Sequence, residues 1–407
     1  MQDETTIVIE AKTGVTAPKG FKAAGIHCGI KKSKKDLALI YTGSPASAAA
    51  VFTLNKVQAA PVLVSKEHLN RSKKFHAIIV NSGNANACTG EQGFKDAVIM
   101  ATKTAEVLNI KPDEVFVSST GVIGETLPME KITNGIYAIV NCLEQDDHLA
   151  SAEAIITTDT FVKAASVSFD INGKTVTIGG ISKGSGMIHP NMATMLAFVT
   201  TDAAIENETF QKVLKDVCDK TFNRIVVDGD TSTNDMVIAL ANGESGIENI
   251  KLSSNECKLF SENLYSVLKK LSIDIVRDGE GATKLVEINV EGALSDKDAE
   301  KAARTVALSP LVKTAIHGED ANWGRILAAV GYSGIEFNPD KFEITINEIP
   351  ILKENYFVTL PNAIANQTLK PSKINLLLEL HGGNGKATCW TCDFSEEYVK
   401  INGSYRT

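Results

Sequence analysis

Residues 166–180, SVSFDINGKTVTIGG, alternate apolar and polar side chains on both sides of Asn172-Gly173. Val167, Phe169 and Ile171 share one face, and Val176 and Ile178 resume the alternation after the turn. Asn and Gly tolerate the positive φ that a two-residue turn between twisted strands requires, so the stretch predicts a β-hairpin. Outward from it the period changes. EQGFKDAVIMATKTAEVLNI (91–110) repeats apolar residues at Phe94, Ala97, Val98, Ala101, Ala105 and Leu108, the stripe of an amphipathic helix. NETFQKVLKDVCDKTF (207–222) does the same through Phe210, Val213, Leu214, Val217 and Cys218. KFEITINEIPI (341–351) and KINLLLELHGGNGKATCWTCDFS (373–395) return to period two around Gly- and Asn-rich turns. The pattern predicts an α+β fold built on antiparallel hairpins rather than a doubly wound sheet.

The 407 residues are 43% hydrophobic and 22% charged, enough for more than one core. A net charge of −8 argues against a general binder of nucleic acid or anionic membrane. The charge is uneven, with 19 basic and 18 acidic residues before position 194 and 22 against 31 from there on. No apolar run approaches membrane-spanning length, and the acidic start MQDETTIVIE lacks the pattern of an export signal. Seven scattered cysteines fit a reduced compartment, so a cytoplasmic location is expected.

Several motifs read most simply as structure. KGSGMI (183–188) lacks the Lys-Ser/Thr and spacing of a phosphate loop. Cys389 and Cys392 in CWTC have no second pair, and on a strand residues three apart face opposite sides, so they read as packed thiols. The histidines show no metal-ligand spacing, and His189 reads as a structural residue before Pro190. No G-x-S-x-G elbow is present.

The hairpin leads through Gly179, Gly180, Gly184 and Gly186 to HPNMATMLAFVTTDA (189–203). By itself an Ala193-Thr194 pair at the mouth of an apolar strand is an ordinary loop end. It also admits a chemistry. A threonine that begins a chain can use its own α-amine as base, because that amine has an ordinary pKa of about 7.7–8.0. Attack of the Thr194 hydroxyl on the Ala193 carbonyl, followed by hydrolysis of the ester, would expose that amine. The glycines would permit a strained approach, and the following strand would hold the new terminus.

KGSGMIHPNMATMLAFVTTDA (183–203) resembles the self-processing junction of the ornithine acetyltransferase (glutamate N-acetyltransferase) family of arginine biosynthesis. Ordered matches run along the chain: VNSGNANACTG (80–90), SSTGVIGE (118–125), AIITTDTF (154–161), VDGDTSTNDM (227–236), RDGEGATKL (277–285), HGEDANWGRI (317–326) and YVKINGSYRT (398–407). The resemblance implies an α/β/β/α sandwich with a smaller C-terminal α/β domain. It implies cleavage into an α chain (1–193) and a β chain (194–407), with the main domain ending near residue 280 and the smaller one spanning 281–407. Thr194 matches the nucleophile, and Thr120 and Gly121 match the oxyanion hole. Without the family, SSTGVIG is simply a strand-to-loop turn.

Thr157, Lys183, Thr194, Glu280, Asn402 and Thr407 match substrate-binding positions, so the C-terminal tail should return to the site. Lys183 would suit a carboxylate or acyl group, and Glu280 an ammonium. The implied reaction is ping-pong transfer of acetyl from N2-acetylornithine to glutamate. Two-reaction members of that family also take acetyl from acetyl-CoA. No metal or bound cofactor is implied, and an (αβ)2 or larger assembly is expected. Two other readings stand beside it: a self-processing aminopeptidase or amidase of similar scaffold, and a non-catalytic amino-acid-binding protein.

Overall fold

The computed structural model describes residues 13–143, 147–189 and 195–404. The first sheet contains β1 (Phe21–Ile26), β2 (Leu37–Phe52), β3 (Phe75–Asn84), β4 (Val115–Val122), β5 (Lys163–Ile171), β6 (Lys174–Lys183), β7 (Leu196–Thr201) and β9 (Met236–Ala241). The short β8 (Ile225–Val226) belongs to the second sheet. The order in the first is β4-β3-β2-β9-β7-β6-β5, with β1 paired to β2. The hairpin of the opening stretch is β5-β6, in register from Lys163↔Ser182 to Ile171↔Lys174. Asn172 (φ 53) and Gly173 (φ 80) turn it, as the sequence requires.

One long strand folds this sheet upon itself. The first part of β2 pairs with β3 through Leu37 to Tyr41, and its last six residues pair with β9. Between them lie Gly43 and Pro45, where a missing amide is tolerated because the ladder changes partners. The two halves of the sheet then face one another. Ala38, Ile40, Ile78, Val80 and Phe116 of one half pack against Leu196, Phe198, Met236, Ile238 and Leu240 of the other.

Alternation along the strands supplies the outer faces. Leu37, Leu39, Ala77, Ile79, Val115 and Val117 pack under α1 (Ala60–Arg71), α2 (Gly90–Leu108) and α3 (Met129–Ile139). The short α4 (Ala150–Ile155) lies against β1 and β2. On the other side, Ala197, Val199, Val237 and Ala239 pack under α5 (Asn207–Cys218) and α6 (Asn255–Arg277). The result is the expected α/β/β/α sandwich. Its core strands are apolar on both faces because both are covered. Replacing a fully buried Phe such as Phe198 by Ala would cost about 3–5 kcal/mol.

The second sheet runs β13-β12-β11-β14-β10-β15-β8. Its strands are β10 (Leu285–Ala293), β11 (Glu343–Ile346), β12 (Ile349–Lys353), β13 (Phe357–Val358), β14 (Lys373–Glu379) and β15 (Gly385–Cys392). Its core is shared with α7 (Asp296–Leu308), α8 (Pro310–His317), α9 (Trp323–Gly331) and α10 (Asn362–Ala365). Cys389 packs in this core, whereas Cys392 packs in the sandwich core, so the two thiols do face opposite ways. The last described element is α11 (Glu396–Ser404). Among the described residues no helix is long and apolar enough to cross a membrane.

Candidate active site

The ends of β3 and β4 form one wall of the site. They run parallel, and the register shifts between Gly83 and Asn84. Such a bulge re-aims the backbone at a strand end. Gly121 stands opposite Gly83 with φ 133, and a Cβ there would lie 2.3 Å from the Gly83 carbonyl carbon and 2.5 Å from the Asn84 nitrogen. Only glycine fits. Buried amides hold this wall. Asn81 Nδ2 donates to Asn84 O (2.9 Å), Ser119 Oγ donates to Asn81 Oδ1, and Asn234 Nδ2 donates to Ala85 O (2.6 Å) and Ser119 O (2.9 Å).

Lys183, the last residue of β6, reaches across to this wall. Its Nζ donates to Thr157 Oγ1 at 2.8 Å and to Thr120 Oγ1 at 3.4 Å. A lysine ammonium only donates, so both threonine oxygens act as acceptors here. The hydroxyl hydrogen of Thr120 therefore remains to donate elsewhere. Below Lys183, Asp159 Oδ2 accepts from Thr157 N (2.9 Å) and Oδ1 accepts from Gly184 N (2.8 Å). Burial opposes ionisation of Asp159, but the Lys183 and Lys163 ammoniums and these donors outweigh it and hold the carboxyl at about 2. Lys31 Nζ donates to Ile156 O (2.6 Å) and fixes the residue before Thr157. Burial, despite the facing Asp36, lowers the Lys31 ammonium to about 8.

A second polar group lies along residues 186–188. Asn402 Nδ2 of α11 donates to Glu280 Oε2 at 2.8 Å, so the C-terminal helix does come back to the site. Gly186 makes room, since a Cβ there would fall 2.4 Å from Glu280 Oε2. Asp228 Oδ2 and Oδ1 accept from Met187 N (2.6 Å) and Ile188 N (2.8 Å). Burial nevertheless raises the Asp228 carboxyl, and it also raises the hydroxyl of Tyr398 beside it. Asp235 is buried just before β9 begins. Desolvation lifts it well above the usual carboxylate range, against the opposing effects of Ser232 and Lys183. Its Oδ2 has no hydrogen-bond partner among the described residues.

Between these walls lies a cavity of about 240 Å³. Thr120, Gly121, Thr157, Lys183, Glu280 and Asn402, all singled out in the sequence, line it together. Ala193, Thr194 and Thr407 lie outside the described residues. Met195 and Leu196, which follow directly in sequence, line the same cavity. Sequence reasoning missed Asp228, Asp230, Asp235 and Tyr398, which also line it. The available signal was the acid-rich VDGDTSTNDM, a polar run between apolar strands whose carboxylates were not assigned.

Chemically, the cavity offers hydroxyl and backbone donors on one wall, one buried ammonium, and carboxylates on another wall. That set suits a zwitterionic amino acid and a developing oxyanion. Among the described residues, the side chains close enough to share a metal are Glu343, Glu354 and His381. They are not part of the cavity lining, and Lys353 already holds one Glu343 oxygen.

Residues 22–407 match the model of the ArgJ family. The chain is 51% identical over 397 residues to the arginine biosynthesis bifunctional protein ArgJ of Caldanaerobacter subterraneus subsp. tengcongensis, covering 97% of this chain and 98% of that one. It is 47% identical over 408 residues to the protein of the same name from Oceanobacillus iheyensis, covering 99% of this chain and 100% of that one. The crystal structure of the arginine biosynthesis bifunctional protein argJ from Bacillus halodurans superposes with a TM-score of 0.51 at 44% identity. That match covers 52% of this chain and 100% of the solved chain. The cavity is thus set in a framework shared along almost the whole length of these relatives, and the chain belongs to the ArgJ family.

Proposed function

We propose that this protein is the acetyltransferase of arginine biosynthesis that moves acetyl from N2-acetylornithine to glutamate through an acetyl-Thr194 ester. The carrying observation is the convergence on one cavity of Thr120, Gly121, Thr157, Lys183, Glu280 and Asn402, which lie far apart in sequence. Thr194 first attacks the Ala193 carbonyl, and water hydrolyses the resulting ester, which leaves an α chain (1–193) and a β chain (194–407). The full-length match of the solved Bacillus halodurans chain to half of this one supports a cut precursor.

In the first half-reaction the Thr194 α-amine takes the hydroxyl proton as Oγ attacks the acetyl carbonyl. The oxyanion accepts hydrogen bonds from the Thr120 hydroxyl and the Gly121 N–H. The C–N bond then breaks, the proton passes to the departing ornithine amine, and the acetyl group stays on Oγ. Glutamate enters, its amine attacks the ester, and the alcohol is restored with N-acetylglutamate as product. Lys183 and Thr157 hold carboxylate or acyl oxygen, and Glu280, with Asn402 and Thr407, holds the ornithine ammonium. The relatives' name, bifunctional, supports acetyl-CoA as a second acetyl donor. No metal or bound cofactor takes part. The assembly is (αβ)2 or larger and works in the cytoplasm.

The test is intact mass and acetyl transfer for the wild type beside Thr194→Ala. Two fragments meeting at Ala193/Thr194 and labelled N-acetylglutamate are expected from the wild type, with neither from the variant. An uncut wild type with full activity would refute the nucleophile. Free acetate in place of N-acetylglutamate would assign the amidase reaction instead.

A further inference from the structure

Beneath the cavity, and not part of its lining, lies an ion triad with no exposed charge. Lys163 Nζ donates to Asp159 Oδ1 at 2.6 Å and to Asp278 Oδ2, and the exposure of the three side chains is 0%, 0% and 1%. The ammonium also stands 4.9 Å from the Phe161 ring centroid. Burying three charges is unfavourable unless each is fully paired, so a triad here calls for a reason beyond stability.

Every acceptor in the triad also holds a segment of the site. Asp159 accepts from Thr157 N and Gly184 N, which fixes the backbone beside Thr157 and Lys183. Asp278 accepts from Thr160 N (3.1 Å) and from the Thr160 hydroxyl. The Asp278 carbonyl accepts from Ser185 Oγ, and Ser185 O accepts from Glu280 N (3.0 Å). The triad therefore joins the loop before β5, the end of β6 and the turn after α6. Each of these carries a charged or hydroxyl side chain of the cavity: Thr157, Lys183 and Glu280 respectively.

We infer that Lys163, with Asp159 and Asp278, is the positioning device that sets Lys183 and Glu280 at a fixed separation, and so selects substrates with an anionic group and an ammonium at matching spacing. The geometry is independent of the proposed reaction, whereas the substrates named in its test rest on it. The triad carries one excess negative charge, which Lys183 offsets. Lys163→Met alone leaves buried carboxylates unpaired and destabilises the fold. Lys163→Met with Asp278→Asn severs the link while keeping the charges of Asp159 and Lys183 balanced.

For this double variant, KM for both N2-acetylornithine and glutamate is expected to rise about ten-fold or more while kcat stays within about three-fold, because binding groups move and reacting groups do not. A folded double variant with unchanged KM, or with a fall in kcat alone, overturns the inference. Should the double variant not fold, Asp278→Asn alone is expected to raise both KM values about three-fold or more, and unchanged values overturn it. A wild type that transfers no acetyl group refutes the reaction instead. The triad is then judged by the crystal structure of the variant, where an unmoved Thr157–Lys183 contact and an unmoved Glu280 refute it.

Discussion

Gly121→Ala tests the proposed oxyanion wall. Two costs arise at this residue. Its φ of 133 is one that L side chains rarely adopt. A new Cβ would also sit 2.3 Å from Gly83 C and 2.5 Å from Asn84 N, both backbone atoms that cannot rotate away. Ordinary contact begins near 3.4 Å, so β3 and β4 would have to part by about 1 Å at this point. The backbone conformation costs of order 1–3 kcal/mol. Opening the ladder adds a comparable amount, for about 3 kcal/mol or more in total. A 1 Å displacement of a reacting group can cost about 10² in rate, and loss of one oxyanion donor about 10²–10³. We expect Gly121→Ala to melt several degrees lower and to lose at least about 10² in kcat/KM for acetyl transfer. Gly124→Ala is the control, because φ there is 84 but nothing lies within 4 Å of the added Cβ. It should show the backbone cost alone and retain transfer within about three-fold. Equal losses of stability and activity in the two variants, or wild-type rates in Gly121→Ala, would refute the reasoning.

Two other expectations follow from the carboxylates. Asp235 is raised by burial, so the folded protein keeps a proton there that the unfolded chain releases above about pH 4. Folding stability from this group is complete below that pH and falls as pH rises toward the folded value, by about 1.4 kcal/mol per unit. Asp235→Asn should therefore be more stable than wild type at pH 7, with a gap that closes toward pH 4. A gap that does not change with pH in thermal melts would contradict this. Glu280→Gln keeps the Asn402 contact region filled but removes the charge proposed to hold the ornithine ammonium. KM for N2-acetylornithine should rise at least about ten-fold, the worth of a charge-assisted hydrogen bond, and more than KM for glutamate. Equal changes for the two substrates would remove Glu280 from that role.

The elements that repeat a period were legible in the sequence. The β5-β6 hairpin, α2, α5 and the strands β11, β12, β14 and β15 of the second sheet announce themselves through alternation, helical stripes and turn residues. The strand β2 did not. Its second part, PASAAAVF, is alanine-rich and favours helix by propensity, yet it forms a strand because both faces are covered and β9 pairs with it. Its passage from one half of the sheet to the other is a tertiary event that no local pattern encodes. Of the site, SSTGVIGE, AIITTDTF, RDGEGATKL and YVKINGSYRT were legible through family resemblance, and each supplies a residue to one cavity. The triad was not, because Lys163 and Asp278 are 115 residues apart and a lysine opening a strand reads locally as a solvated end.

Six residue pairs, from Ile178↔Thr201 to Lys183↔Leu196, bind β6 to β7 in the middle of the sandwich. The proposed cut falls in the segment that joins these two strands. Before cleavage the two edges meet as parts of one molecule, and folding is a unimolecular search. After such a cleavage the folded state would survive because the strands are interlocked in the sheet, but a denatured sample would consist of two separate molecules. The tether's effective concentration, typically millimolar for short flexible links, would be gone. Self-activation would then act as a one-way step: the precursor refolds at a rate independent of concentration, and the mature enzyme, once unfolded at low concentration, does not find its way back.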